Sequence, residues 1–125
     1  MIKSEISKIT AKILINIGAI NFSPQSPFKL SSGFLSPSYI DCRKLIAYPS
    51  AFKEITDMMI DTIKSEMVAQ SPDYIIGGET AGIPFAAAIA EKMGLPLSYV
   101  RKKPKDYGKS KLIEGEILKD KNSLL

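Results

Sequence analysis

The stretch YIIGGETAGIPFAAAIAEKMGLPLSYV, residues 74–100, decides the fold. Tyr74–Ile76 reads as a short apolar strand and Gly77–Gly78 as a tight turn. Pro84 to Met93 is an Ala-rich helix, and Gly94 stands where such a helix stops. Leu97–Val100 is the next strand. Strand, turn, helix and strand in so short a span make a βαβ unit, whose two strands run parallel. The fold class is therefore α/β.

The segments around this unit are of different materials. Upstream, residues 3–18 place Ile6, Ile9, Ile13, Leu14 and Ile17 at helical spacing. Ser4 or Ser7 is the expected cap and Gly18 the stop. Residues 22–38, FSPQSPFKLSSGFLSPS, hold too many prolines and serines for a helix. Short extended pieces fit them, with Phe28–Ser31 and Tyr39–Asp41 as candidate strands. Pro49 opens a second helix with an apolar stripe of Phe52, Ile55, Met58, Met59, Ile63 and Met67, which Pro72 confirms has ended. Downstream, residues 112–117, LIEGEI, alternate like a strand, KDKN is a turn, and Leu124–Leu125 look like the first residues of a buried strand.

The totals narrow the function. The chain has 125 residues, 45% hydrophobic and 24% charged, which suits one soluble globular domain. There is no histidine, which excludes a His-based triad and a His-ligated metal site. Cys42 is the single cysteine, so no internal disulfide forms and a reducing cytoplasm is expected. MIKSEISKIT is too polar for a signal peptide, and no apolar run approaches the ~20 residues that span a bilayer.

The net charge of +4 is concentrated. RKKPKDYGKSK, residues 101–111, carries Arg101, Lys102, Lys103, Lys105, Lys109 and Lys111 against Asp106 alone, and Pro104 and Gly108 forbid a helix. Such a patch seeks phosphate, on a nucleotide, a nucleic acid or a phosphorylated sugar. It follows a strand's carboxyl end, where ligands of α/β sheets bind. Three readings are open for it: a lid that swings over a polyphosphate, a solvated charge run, or a nucleic-acid contact in which Tyr107 stacks a base. GGETAGIP, residues 77–84, stands at the other strand's end and reads either as an anion cradle before a helix or as a turn whose glycines serve packing. It is neither a dinucleotide fingerprint nor a Walker loop. Residues 31–43, SSGFLSPSYIDCR, read from composition only as a turn-rich surface hairpin.

Taken together, FKLSSGFLSPSYIDCRKL, DYIIGGETAGIPFAAAIAEKMGLPLSYVRKKPKDYG and LIEGEI resemble the orotate phosphoribosyltransferases, in order and spacing, over nearly the whole chain. The resemblance implies transfer of phosphoribose from phosphoribosyl pyrophosphate to orotate, giving orotidine 5′-monophosphate and pyrophosphate. It implies Mg²⁺ bound through the substrate, with no protein metal ligands, and a homodimer at work in pyrimidine biosynthesis. The implied fold is type I phosphoribosyltransferase-like. An N-terminal helix and hood hairpin would fill residues 1–48, and the first βαβ portion of a parallel-sheet core residues 49–125. By resemblance Arg101, Lys102, Lys105, Tyr107, Thr80 and Ala81 match pyrophosphate and ribose contacts. Lys105 is the mobile-loop lysine assigned to catalysis, and Arg101 or Lys102 would reach the partner's site. Tyr107 stands where many members carry His, and some members carry Lys at the position of Ala81. Ser31, Tyr39 and Ile40 match the base pocket, with Ser31 where several members place a lysine and Lys29 two residues before it.

One family signature is not found: an apolar strand, two acids, then a Thr/Ser/Gly loop that cradles the ribose 5-phosphate. KDKNSLL stands where it is expected to begin. The expectation is an N-terminal part of such an enzyme, inactive as this chain alone and with an apolar sheet edge open to water. The alternatives are one half of a split enzyme, completed by a separate C-terminal chain, or a non-catalytic remnant. A nucleic-acid-binding module would need more aromatic and basic residues on one face.

Overall fold

The computed structural model describes residues 2–108 and 111–125. Lys109 of the cationic run lies outside the described residues, as do Met1 and Ser110. The chain forms two compact units, Met1–Ile55 and Thr56–Leu125.

The first unit opens with helix α1, Lys3–Asn16. Its expected stripe is the packed one: Leu14 and Ile17 are buried, and Ile6, Ile9 and Ile13 half-buried. The helix starts one turn earlier than its serines suggest. Ile2 holds the cap position and donates its N–H to the Glu5 carboxylate at 3.3 Å. Ser7 lies inside the helix and donates its hydroxyl to the Lys3 carbonyl. Gly18, at φ +66°, ends the helix, and Lys44 Nζ donates to its carbonyl at 2.9 Å.

Strand β1, Ile20–Phe22, was not expected from so short an apolar run. It pairs antiparallel with β4, Ser38–Ile40, in the register Ile20↔Ile40. Between them β2, Phe28–Lys29, pairs antiparallel with β3, Leu35–Ser36. The candidate strand 28–31 stops at Lys29 because Leu30 turns to bond Phe34, with Gly33 at φ +89°. A 3-10 turn, Cys42–Ala47, follows β4 and is capped by the Asp41 side chain. Helix α2, Pro49–Glu66, begins at the expected proline and continues from the first unit into the second. Along it Ile55, Met58 and Ile60 are buried, whereas Met59 faces water.

The second unit contains β5, Tyr74–Gly78; α3, Gly82–Met93; β6, Leu97–Val100; β7, Ile113–Glu114; and β8, Ser123–Leu124. The sheet order is β7-β6-β5-β8. β5 and β6 run parallel from Ile75↔Leu97 to Gly78↔Val100, the βαβ unit read from residues 74–100. Ile60, Ile75, Ala86, Ile89 and Ala90 form its core, with Ile63, Met93, Leu95 and Leu124 packed against them. No helix among the described residues is long and apolar enough to cross a membrane.

Three local expectations change. Gly77 and Gly78 are ladder residues of β5 and not a turn. A Cβ on Gly77 would stand 3.0 Å from Ala86 Cβ and 3.1 Å from Ile83 Cα, so this glycine lets α3 lie close on the strand. The strand expected over 112–117 shrinks to Ile113–Glu114, antiparallel to β6. Gly115, at φ +93°, leaves the pleat there and rests on Ser98. Finally, the far edge of β5 is not open throughout: β8 pairs parallel with it at Tyr74↔Ser123 and Ile75↔Leu124. Leu124 enters the core as its sequence suggested, while Leu125 remains exposed.

Candidate anion-binding site

The turn after β5 and the loop after β6 leave the carboxyl ends of two neighbouring parallel strands. Two bonds bring them together. Glu79 donates its N–H to the Val100 carbonyl at 2.9 Å, and its carboxylate accepts the Lys102 N–H at 2.7 Å. Thr80 and Ala81, both exposed, follow directly on Glu79 across a cis peptide bond. Ala81 takes the cap position of α3 and offers no capping side chain. The first N–H groups of that helix therefore include donors that an anion can satisfy, and the helix dipole favours negative charge there.

The cationic loop is folded back along the sheet. Arg101 N–H bonds the Leu112 carbonyl at 2.8 Å. Lys105 Nζ lies 2.7 Å from Glu114 Oε1, and Arg101 Nη1 is 4.0 Å from the same oxygen. All three side chains are partly shielded from water. The close contact with Lys105 holds the Glu114 carboxyl below its usual range, with further pull from the charges of Lys105, Arg101 and Lys111. The same contact with the Glu114 carboxylate raises Lys105 above the usual lysine range. Arg101 Nε and Glu114 Oε1 are both buried and neither has an aligned hydrogen bond among the described residues, so the 2.7 Å Lys105–Glu114 contact is an ion pair. Lys102 and Lys103 are exposed, and Tyr107 stands out in solvent at 76% exposure.

Of the residues expected at a diphosphate, the structure ties Lys102 to the turn that bears Thr80 and Ala81, through the Glu79 carboxylate, whereas Arg101 and Lys105 meet at Glu114 of β7, on the side of β6 away from β5. Tyr107 is not drawn in. Two functional candidates were missed. Glu79 registers one loop on the other, and its signal was a lone acid at the end of β5. Glu114 meets two of the loop's cations, Arg101 and Lys105, and its signal was its place as one of the two acids of LIEGEI, directly after the basic run.

The residues assigned to a base pocket lie in the first unit. The Tyr39 ring packs on Phe28 with centroids 5.8 Å apart, and its hydroxyl accepts from Arg43 Nη2 at 3.2 Å. Arg43 in turn bonds Asp41 at 2.7 Å, which lowers the Asp41 pKa. Ile40 is half exposed on β4, and Ser31 is exposed in the turn between β2 and β3.

Comparison with known proteins gives these elements a context. No family model matches the chain. Curated orotate phosphoribosyltransferases do: one from Cereibacter sphaeroides is 50% identical over 123 residues, 98% of this chain and 53% of its own length. One from Ruegeria sp. is 49% identical over 121 residues, 97% of this chain and 54% of its own. The chain spans about half the length of the curated relatives it matches. Among solved structures, UMP synthase of Leishmania donovani superposes with a TM-score of 0.69 at 32% identity, over 94% of this chain and 24% of that one. Orotate phosphoribosyltransferase of Aeropyrum pernix gives 0.63 at 34% identity, over 74% of this chain and 52% of that one. An adenine phosphoribosyltransferase, at 21% identity and a TM-score of 0.60 over 79% of this chain and 52% of that one, shares the fold alone. The architecture described above is therefore that of part of a type I phosphoribosyltransferase.

Proposed function

We propose that this chain, which is related to the orotate phosphoribosyltransferases along nearly its whole length, carries the part of such an enzyme that grips the diphosphate of phosphoribosyl pyrophosphate. The observation that supports this reading is the bond from Lys102 N–H to the Glu79 carboxylate. It sets the uncapped start of α3 against the first residues of the cationic loop. Backbone N–H donors and mobile ammonium groups together suit a diphosphate, which accepts hydrogen bonds all round and carries several charges.

In the proposed reaction the bond from C1 of the ribose to pyrophosphate breaks, a bond from C1 to the orotate ring nitrogen forms, and the proton of that nitrogen passes to the departing pyrophosphate or to water. Negative charge gathers on the departing pyrophosphate while C1 becomes oxocarbenium-like. Arg101, Lys102 and Lys105 neutralise that charge, with Lys105 the catalytic lysine of a loop that closes over the leaving group and keeps water out. Thr80 and Ala81 approach the ribose and diphosphate, and Tyr107 joins them once the loop has moved. Ser31, Tyr39 and Ile40 are assigned to orotate. The charge of orotate at neutral pH sits on its carboxylate, and the departing pyrophosphate can take the ring-nitrogen proton, so the chemistry does not call for a histidine.

Mg²⁺ enters this reading on the diphosphate oxygens. Among the described residues no three His, Cys, Asp or Glu side chains gather to hold a metal ion. Transfer itself is proposed for the longer set of elements that the relatives possess, assembled as a homodimer or with a complementing chain, in cytoplasmic pyrimidine biosynthesis. The 125 residues alone are expected to bind phosphoribosyl pyrophosphate and to make no orotidine monophosphate.

Isothermal titration of the chain with phosphoribosyl pyrophosphate and Mg²⁺ tests the grip. Saturable binding is expected, weakened about tenfold or more by Lys105→Ala, as fits the loss of a charge-assisted contact. A folded chain that shows no saturable binding would overturn the proposal.

A further inference from the structure

We infer that Glu114 is the internal counter-ion of the cationic loop: it holds Lys105 in the empty chain and competes with a bound diphosphate for that lysine. The inference rests on the diphosphate reading above and deepens it.

The geometry separates a fixed half from a movable half. Glu114 has its backbone fixed by strand pairing, opposite Tyr99 of β6, and its side chain is partly shielded from water. Lys105 sits between Pro104 and Gly108 on a loop without regular structure. The 2.7 Å contact between them therefore joins a carboxylate that stays to an ammonium group that can leave. Arg101 reaches the same oxygen at 4.0 Å, and Lys111 adds its field. One negative charge thus faces three positive ones, and the site keeps an excess that still draws an anion.

The strength suits an exchange. An ion pair between partly shielded side chains such as these biases an equilibrium by a factor of about two to five. A diphosphate offers more than one charge and several acceptor oxygens, so it can take Lys105 from Glu114. In the empty chain Glu114 occupies the lysine and keeps the loop against the sheet; on binding, the lysine changes partner and the loop is free to cover the ligand. Glu114 is a positioning residue in this scheme and touches no reacting atom.

The test compares Glu114→Gln with Glu116→Gln, which removes the same charge from an exposed neighbour two residues on. Two readouts are taken on the 125-residue chain: the initial rate of tryptic cleavage after Lys105 without ligand, and the affinity for inorganic pyrophosphate by titration. Glu114→Gln is expected to speed the cleavage and tighten pyrophosphate binding, each about threefold relative to Glu116→Gln, as expected for release from one partly shielded ion pair. Equal behaviour of the two variants, or weaker pyrophosphate binding in Glu114→Gln, overturns the inference. If the unaltered chain binds no pyrophosphate, the diphosphate reading fails and the competition with it. Cleavage then decides the latch by itself: faster in Glu114→Gln sustains it, unchanged removes it.

Discussion

The carboxylate of Glu79 accepts the backbone N–H of Lys102 at 2.7 Å, and this one bond registers the turn after β5 on the loop after β6. Glu79 also donates its own N–H to Val100, so backbone and side chain act on consecutive parts of the same segment. Replacing Glu79 by Ala leaves the Val100 bond and removes the Lys102 bond. Both groups are accessible to water, so stability should change little. The expected effect is on positioning: phosphoribosyl pyrophosphate affinity falls about fivefold, the worth of one modest hydrogen bond, with the melting temperature nearly unchanged. Titration beside thermal denaturation checks it; a large loss of stability with unchanged affinity would show that the bond serves only the fold.

The Lys105–Glu114 contact has a pH window whose limits follow from its two shifts. The Lys105 contact depresses the Glu114 carboxyl, so whatever stability the pair adds is full above the unfolded carboxylate range, about pH 4. It is lost as pH falls through the depressed folded value. Lys105 is raised by its contact with the Glu114 carboxylate, so its share is full below the unfolded lysine range and is lost as pH climbs through the raised folded value. At pH 9 Lys105 should therefore be acetylated more slowly than the exposed Lys102 and Lys103, and Glu114→Gln should abolish the difference. Mass spectrometry of brief acetylation reads both rates in one sample.

The parts of this fold legible in the sequence are those with a period or a stop. The α3 helix from an Ala-rich run to Gly94, the Pro49 start of α2 and the parallel pair β5–β6 all follow from local pattern. What was not legible depends on partners distant in sequence. Gly77 and Gly78 carry turn chemistry by composition, and only pairing with Tyr99 and Val100 of β6 makes them strand residues, while the approach of Ala86 and Ile83 requires a glycine at 77. The register Ile20↔Ile40 joins segments too short for alternation to show. The site divides in the same way. A run of cations announces itself, whereas Glu79 and Glu114 gain their meaning from whom they meet across the sheet.

Asn122 ties β8 to the sheet. It exchanges bonds with Asp73: its N–H meets Asp73 Oδ2 at 2.9 Å, and its carbonyl accepts the Asp73 N–H at 2.8 Å. Its side-chain oxygen accepts from Gln70 Nε2 at 3.1 Å. Only two residues of β8 pair with β5, so these ties are a large part of what places Leu124 in the core. Asp73→Ala should destabilise the second unit by about 1 kcal/mol, the usual net worth of such a bond. Amide exchange at Leu124 and Leu125 should quicken more than exchange at Ile76. Uniform quickening would mean that β8 opens only when the whole unit does.

Gly77 tests how closely the site depends on helix–strand packing. A Cβ at this position would lie 3.0 Å from Ala86 Cβ and 3.1 Å from Ile83 Cα, tighter than ordinary contact. One of these neighbours is helix backbone, so no rotamer change relieves it and α3 must move off β5. Overpacking of this kind costs about 1–3 kcal/mol. Both contacts fall in the first half of α3, whose start, capped by Ala81, faces the proposed diphosphate. Gly77→Ala should therefore lower both the melting temperature and the affinity for phosphoribosyl pyrophosphate. Gly78→Ala, where a Cβ would meet nothing within 4 Å, is the matched control and should lower neither by a comparable amount. Equal losses in the two variants would trace the effect to strand flexibility and not to the approach of the helix.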